Sequence, residues 1–359
     1  MYALSGFSDH DTIFQVESVD GYKSRFFSNF FSRLESQTEV SRFSRYRMQL
    51  GVLLLPVLLA VLLAVIGNHY RLEEMLWEEK LQTVRVDHVS DAERLFAQLN
   101  YFWPPAVGAT VPRIAMDPLP GDLQSGLTVA RKKALFFRAI LPLVLAENRQ
   151  IRRQREFVGR ILATGRVPRA ESPQRRWLQE LFRHYRIKIR LDFNVALKQL
   201  LRRMDEIPAA LVLAQAANES AWGTSRFVRL ANNLFGLWTW RQGEGIVPEE
   251  RPDGHRYAVR KFPSLRVSVR HYLHNLNIGH AYQDLRRLRN RMRVGGQGLD
   301  ALALAAGLSR YSTRGADYVR EIRQIIRGNH LNMLNAVELS PSGPHLRTLA
   351  GRVVESTDG

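Results

Sequence analysis

The chain has 359 residues, 45% of them hydrophobic and 24% charged, with 24 Gly, 15 Pro and no Cys. These figures exclude a collagen, a wholly disordered chain and a disulfide-stapled miniprotein, and the missing cysteines exclude thiolate zinc sites, iron–sulfur clusters and a catalytic thiol. With 52 basic against 34 acidic residues the formal net charge is +18, so the molecule is drawn to polyanions: nucleic acid, anionic lipid or an acidic polymer such as a cell wall.

Residues 1–47 balance six basic against six acidic residues among many Ser and Phe, without sustained periodicity, and a weakly structured cytoplasmic tail is expected. Residues 48–68 run for 21 positions without a charge, long enough to cross a bilayer core as a helix. Pro56 is tolerated there, because in lipid the segment has no better way to satisfy its backbone groups. The run starts too late and is too long for a cleaved signal peptide. Arg33, Arg42, Arg45 and Arg47 crowd its front, whereas only Arg71 and Lys80 follow within the same distance. That asymmetry predicts a single-pass inner-membrane anchor with the N-terminus in the cytoplasm and residues 69–359 in the periplasm or outside the cell. Such a topology argues against nucleic acid as a partner.

Residues 69–189 read as a basic helical region. Ser90 and Glu93 have capping-box spacing, with Leu95, Phe96, Leu99 and Phe102 on one face and Pro104-Pro105 as a stop. Five prolines within residues 103–126 suggest an extended connector. A long helix is expected from about Thr128 to Ala163, bent at Pro142 and closed by Gly165. Ser172-Pro173 forms an N-cap and N1 pair for an amphipathic helix carrying Trp177, Leu178, Leu181, Phe182 and Tyr185. Between Arg131 and Arg203 stand 20 Lys or Arg against five Asp or Glu, as solvated helix faces, as a surface for an anionic polymer or lipid, or as both.

The stretch Ile207 to Ala217, IPAALVLAQAA, is apolar on nearly every face and predicts a helix at the centre of a domain. Glu219 sits at its end. A carboxyl there is costly when ionised, so its pKa should rise, as a general acid near neutral pH requires. Gln215, Ala216 and Trp222 share its helical face, and Gly223 should end the helix beside a cleft. The competing reading is a buried Glu paired with a structural Arg such as Arg226. Ile246-Val247 and Tyr257 to Val259 bracket Pro252-Asp253-Gly254 as one hairpin. His271, His274 and His280 lack carboxylate support at metal-ligand spacing and read as packing or surface histidines, so neither a metal nor an organic cofactor is expected.

The string AQAANESAWGTSRFVRLANNLFGLWT, from Ala214 to Thr239, resembles the signature of bacterial peptidoglycan N-acetylglucosaminidases, the family of many autolysins and of the flagellar wall-digesting protein. The likeness includes Glu219, the Trp222-Gly223-Thr224-Ser225 turn and the block from Asn232 to Gly236. It resumes at Phe262-Pro263-Ser264, from Val267 to Asn275, and at Tyr311-Ser312-Thr313 and Tyr318. The HNLN string at His274 to Asn277 is most similar to the Bax-like branch. Two positions depart from the pattern: Asn218 replaces an apolar or small residue, and Ala221 replaces a common Gly.

The resemblance implies a mainly α (α+β) fold, a lysozyme-like helical domain with a small β-hairpin lobe over residues 190–335; the Ser, Pro and Gly content from near Ser340-Pro341 predicts a flexible tail at 336–359. It implies cleavage of the β-1,4 bond after N-acetylglucosamine in peptidoglycan, with Glu219 protonating the leaving oxygen and Tyr311 close to the acid. Trp222, Asn232, Asn233, Trp238 and Tyr272 are the implied substrate-binding residues, although Trp222, Phe235, Trp238 and Trp240 are aromatics that equally suit a core. A second carboxylate would come from Glu249, Glu250 or Asp253, with Glu250, four residues before Gly254, the best placed. Without one, the substrate's acetamido group would attack, positioned by Tyr311. The alternatives are a lytic transglycosylase or muramidase on the same fold, and a non-catalytic wall-binding scaffold, which has little use for a lone carboxyl in an apolar helix.

Overall fold

The computed structural model describes residues 78–343, apart from 107, 189–191, 250, 252 and 253, together with Val57, Leu59 and Ala60. Contacts divide the chain into two units, Met1–Arg71 and Leu72–Gly359. In the first, Val57, Leu59 and Ala60 are helical and exposed; the rest of the expected tail and of the span at 48–68 lies outside the described residues. Among the described residues no helix is long and apolar enough to cross a membrane.

The second unit is mainly helical. It opens with β1 (Gln82–Val84), α1 (Val89–Gln98), β2 (Thr110–Val111) and β3 (Ile114–Met116), then the 36-residue α2 (Val129–Thr164), α3 (Pro173–His184) and α4 (Phe193–Arg203). It continues with α5 (Ala209–Glu219), α6 (Arg226–Ala231), β4 (Trp238–Thr239), β5 (Gly245–Ile246) and β6 (Ala258–Arg260). Then come α7 (Leu265–Ile278), α8 (Gln283–Val294), α9 (Ala301–Leu304), α10 (Ala316–Gly328) and β7 (Glu338–Leu339).

Helix α5 is the axis of this unit. Every residue from Ala209 to Ala217 is buried, with α2, α9 and α10 packed around it, which is why its sequence shows no polar face. Helix α2 also packs on α4 and α7, so the basic region upstream of residue 190 and the helices after it share one core. Thr128 caps α2 by accepting from Arg131 N, Gly165 closes it at a left-handed φ of 62°, and the helix runs on through Pro142. Ser172 caps α3 in the same manner. The charge of the basic region is partly internal: Glu79, nearly fully buried, meets Arg113 at 2.8 Å, Arg153 at 2.7 Å and Arg149 at 3.4 Å.

Three local expectations change. Helix α1 does not use a Ser90 capping box; Asp122 Oδ1 accepts from Val89 N at 2.8 Å instead, and Phe102 lies beyond the helix end, exposed. The proline-rich connector folds into β2, β3 and a 3₁₀ turn at Gly121–Gln124, because Val111, Ile114 and Met116 are buried in the core. The stretch expected as a loose tail from 336 begins with β7, which pairs parallel with β2, while Arg113 Nε donates to Ser340 O at 2.6 Å. Antiparallel pairing of β5 with β6 forms the expected hairpin lobe, and β4 adds a third strand through Trp238 opposite Val259.

Candidate active site

Helix α5 stops at Glu219 because the next four residues reverse the chain. Ser220 Oγ donates to Ala216 O and accepts from Gly223 N at 2.8 Å. Ala221, Trp222 and Gly223 then follow at φ of 49°, 60° and 83°, three successive left-handed residues. Only glycine suits position 223, since a Cβ there would lie 2.6 Å from Leu119 Cδ1 in addition to its strained φ. The reversal explains the Gly usual in the family at position 221: Ala221 occupies a conformation in which glycine carries no steric penalty.

Glu219 opens into a groove of about 600 Å³. The segment from Phe235 to Trp238, Trp240 and Arg260 from the hairpin lobe, His271 and His274 from α7, and Tyr311 with Arg314 also line it. Among the described residues of the lining Glu219 is the only carboxyl, and guanidiniums and imidazoles dominate the remaining polar groups.

Beneath the groove runs a directional hydrogen-bond chain. Tyr272 O–H donates to Gln215 Oε1, Gln215 Nε2 donates to the Tyr318 hydroxyl at 2.8 Å, and Tyr318 O–H donates to Glu219 Oε1 at 2.9 Å. Asn218 Nδ2 reaches the same oxygen at 3.5 Å. Both donors converge on Oε1, leaving Oε2 to carry a proton. Burial pushes the Glu219 pKa up, and the bonds from Tyr318 and Asn218 and the charge of Arg314 only partly oppose it. The competing ion pair with Arg226 is not formed, because Arg226 meets Glu249 at 2.5 Å.

The other sequence candidates divide sharply. Tyr311 lines the groove; its ring stacks on Tyr318 at 5.2 Å and its hydroxyl donates to Phe235 O at 3.1 Å. Trp238 and Trp240 line the groove with exposed rings. Trp222 does not: its left-handed φ turns it against Phe137 at 5.2 Å and Phe136 at 6.1 Å on α2, beneath Lys133. Asn232 and Asn233 are scaffold rather than substrate contacts. Asn232 ends α6 at φ 50° and donates to the carbonyls of Phe262 and Pro263. Asn233, buried, donates to Leu237 O and Arg260 O and accepts from Phe235 N and Leu237 N, which fixes the hairpin lobe. Tyr272 is fully buried and stacked on Phe235 at 3.8 Å, so it reaches the acid only through Gln215. Glu249 lies exposed beside Arg226, away from the groove lining, while Glu250 and Asp253 fall outside the described residues.

Gln215 and Tyr318 are the members that the residue-by-residue reading left out. Both had a signal: Gln215 precedes Glu219 by one helical turn, and Tyr318 belongs to the last matching block. His274 stacks on His184 at 3.9 Å, and burial, helped by His184, His271 and Arg186, pushes its pKa down to about 3. Among the described residues no group of three or more metal-ligating side chains stands together.

Comparison with known proteins gives two matches. The glucosaminidase family model, described as mannosyl-glycoprotein endo-beta-N-acetylglucosaminidase, matches residues 195–331. Protein bax of Escherichia coli (strain K12) is 33% identical over 189 residues, which make up 52% of this chain and 66% of that protein. No solved structure matches the chain significantly.

Proposed function

We propose, from the glucosaminidase family model that matches residues 195–331, that this chain hydrolyses peptidoglycan, cutting the β-1,4 bond between N-acetylglucosamine and N-acetylmuramic acid with Glu219 as general acid. One observation carries the proposal: the sole described carboxyl of the groove has a raised pKa and is oriented by Tyr318. A sugar alkoxide is a poor leaving group near neutral pH, so the bond breaks as Glu219 passes its proton to the bridging oxygen. The Tyr272–Gln215–Tyr318 chain holds Oε1 and thereby aims the acid. Trp238 and Trp240 offer faces on which sugar rings stack. We read the helix-ending acid beside a three-stranded lobe as a lysozyme-like arrangement.

The positive charge that builds on the anomeric carbon needs an anion or nucleophile opposite the acid. Glu250 on the hairpin lobe is the first candidate and the substrate's own acetamido group the second. Glu250→Gln should lower turnover at least about tenfold if Glu250 fills that role. If Glu249→Gln, Glu250→Gln and Asp253→Asn all remain active, the acetamido route holds. We also propose that residues 48–68 anchor the chain in the cytoplasmic membrane and that the enzyme domain faces the wall, from the Arg excess before that stretch. A reporter fused after Gly359 should then work only outside the cytoplasm.

The deciding experiment is digestion of sacculi with the full chain, followed by mass spectrometry of the new ends. Reducing N-acetylglucosamine ends are expected. Anhydro-muramic ends would make the chain a lytic transglycosylase, and sedimentation with sacculi without any soluble fragment would make it a binding protein.

A further inference from the structure

The family match begins at residue 195, yet part of the groove wall comes from before it. After α3 ends at His184 the chain turns through Arg186, whose φ of 54° is left-handed. Such a position after a helix ordinarily takes glycine, because the Cβ of an L residue there crowds the following carbonyl oxygen. The turn is nonetheless tightly held. Arg186 N donates to Arg183 O at 3.1 Å and Ile187 N to Phe182 O at 2.7 Å. Arg203 Nη1 donates to the carbonyls of Tyr185 and Arg186 at 2.7 and 2.8 Å. An arginine kept in a braced glycine conformation marks a side chain with a use.

Arg186 lines the groove that Glu219 opens into. Two other guanidiniums do so: Arg314 pairs with Glu321 at 2.8 Å, while Arg260 lies over the Phe262 ring at 5.4 Å. Among the described residues Arg186 makes no ion pair. Its neighbour His274 is half-buried with Nδ1 shielded from solvent and without a partner, so the charge that this upstream segment brings to the groove is that of Arg186.

We infer that Arg186 is a specificity residue that holds a carboxylate of the glycan substrate. A planar guanidinium matches a carboxylate in two-point geometry, and peptidoglycan offers carboxylates on its peptide stems, or on the lactyl group where a stem has been removed. The inference rests on the groove being a peptidoglycan site. It also gives the region upstream of the family domain a part in substrate choice.

Binding is measured on full-length Glu219→Gln protein, so that the polymer is not consumed, by sedimentation with three polymers. These are native sacculi, sacculi stripped of stems by an amidase, and sacculi whose carboxylates are blocked by carbodiimide amidation. Arg186→Gly should reduce the preference for native over blocked sacculi about fivefold or more, with Arg186→Lys intermediate. Arg186→Gly also relieves the left-handed strain, so its unfolding midpoint should not fall. If Arg186→Gly loses affinity equally for native and blocked polymer, or loses none, the inference is overturned. Loss on native sacculi assigns the carboxylate to the stem, because attachment of the stem consumes the lactyl carboxyl as an amide; loss on stripped sacculi as well shows that a lactyl carboxylate freed by the amidase is held in its place. Failure of the unaltered protein to release fragments would instead sink the hydrolase proposal and leave this measurement readable.

Discussion

Two carboxyl groups bracket helix α5, buried Asp205 and half-buried Glu219, and their surroundings are opposites. Asp205, just before the helix, meets Arg155 at 3.2 Å, Arg293 at 2.9 Å and Arg289 at 3.6 Å. Arg289 is itself buried and donates further to Asp205 O, Glu206 O, Arg203 O and Asn277 Oδ1. Glu219, at the other end, accepts hydrogen bonds among the described residues only from a hydroxyl and an amide. The carboxyl surrounded by guanidiniums is the centre of an ion-pair and hydrogen-bond network that ties α2, α4, α7 and α8 together. Glu219 is instead hydrogen-bonded by neutral groups while burial raises its pKa, the setting that a proton donor requires.

The most forceful way to break the comparison is Glu219→Gln. Turnover should fall by roughly two to four powers of ten while the fold persists. Because burial raises the folded-state pKa of Glu219, its favourable contribution is full below the unfolded value and lost as pH rises through the folded one. The Gln variant should therefore melt higher than the unaltered chain at neutral pH and equally in acid, as thermal unfolding at the two pH values will show. A lower midpoint at neutral pH would mean that Glu219 is a structural anion like Asp205.

The converse test acts at Asp205. Asp205→Asn or Arg289→Met strands buried guanidiniums or a carboxylate and should cost about 3–5 kcal/mol in urea unfolding. A smaller effect follows at Tyr318. Tyr318→Phe removes a bond that favours the ionised acid, so the alkaline limb of the pH–rate profile should move to higher pH, with turnover down about tenfold. Tyr272→Phe, two bonds further away, should shift the limb in the same direction by less.

The turn after Glu219 sharpens the picture at the lowest amplitude. Gly223→Ala, blocked by Leu119 and by its φ, should destabilise by about 1–3 kcal/mol. Ala221→Gly should stabilise by up to about 1 kcal/mol, since it removes a left-handed penalty that a glycine does not have. Both are measured by denaturant unfolding; a destabilising Ala221→Gly would show that Ala221 makes contacts worth more than its strain.

What the sequence by itself determined is local. Nine consecutive buried residues in α5, the caps at Thr128, Ser172 and Gly165, the hairpin from Ile246 to Val259 and the place of Glu219 at a helix end all follow from spacing within a few residues. The 3.6-residue period, the N-cap hydroxyl and the turn-forming residues act over that range, so the chain spells them out directly. Which aromatics line the groove was not legible in this way. Trp222 and Trp238 are alike as residues, and only the three left-handed φ values after Ser220 send the first into α2, while pairing of β4 with β6 holds the second at the groove. Asn232 and Asn233 likewise became scaffold through carbonyls about 30 residues away, and Tyr272 became a remote support because Gln215 stands between it and the acid. Arg186 reached the groove, and β7 reached β2, through contacts that span tens to hundreds of residues. Tertiary structure alone decided these, because burial and long-range hydrogen bonding depend on which distant segments meet, and a short window of sequence holds only one side of each such contact.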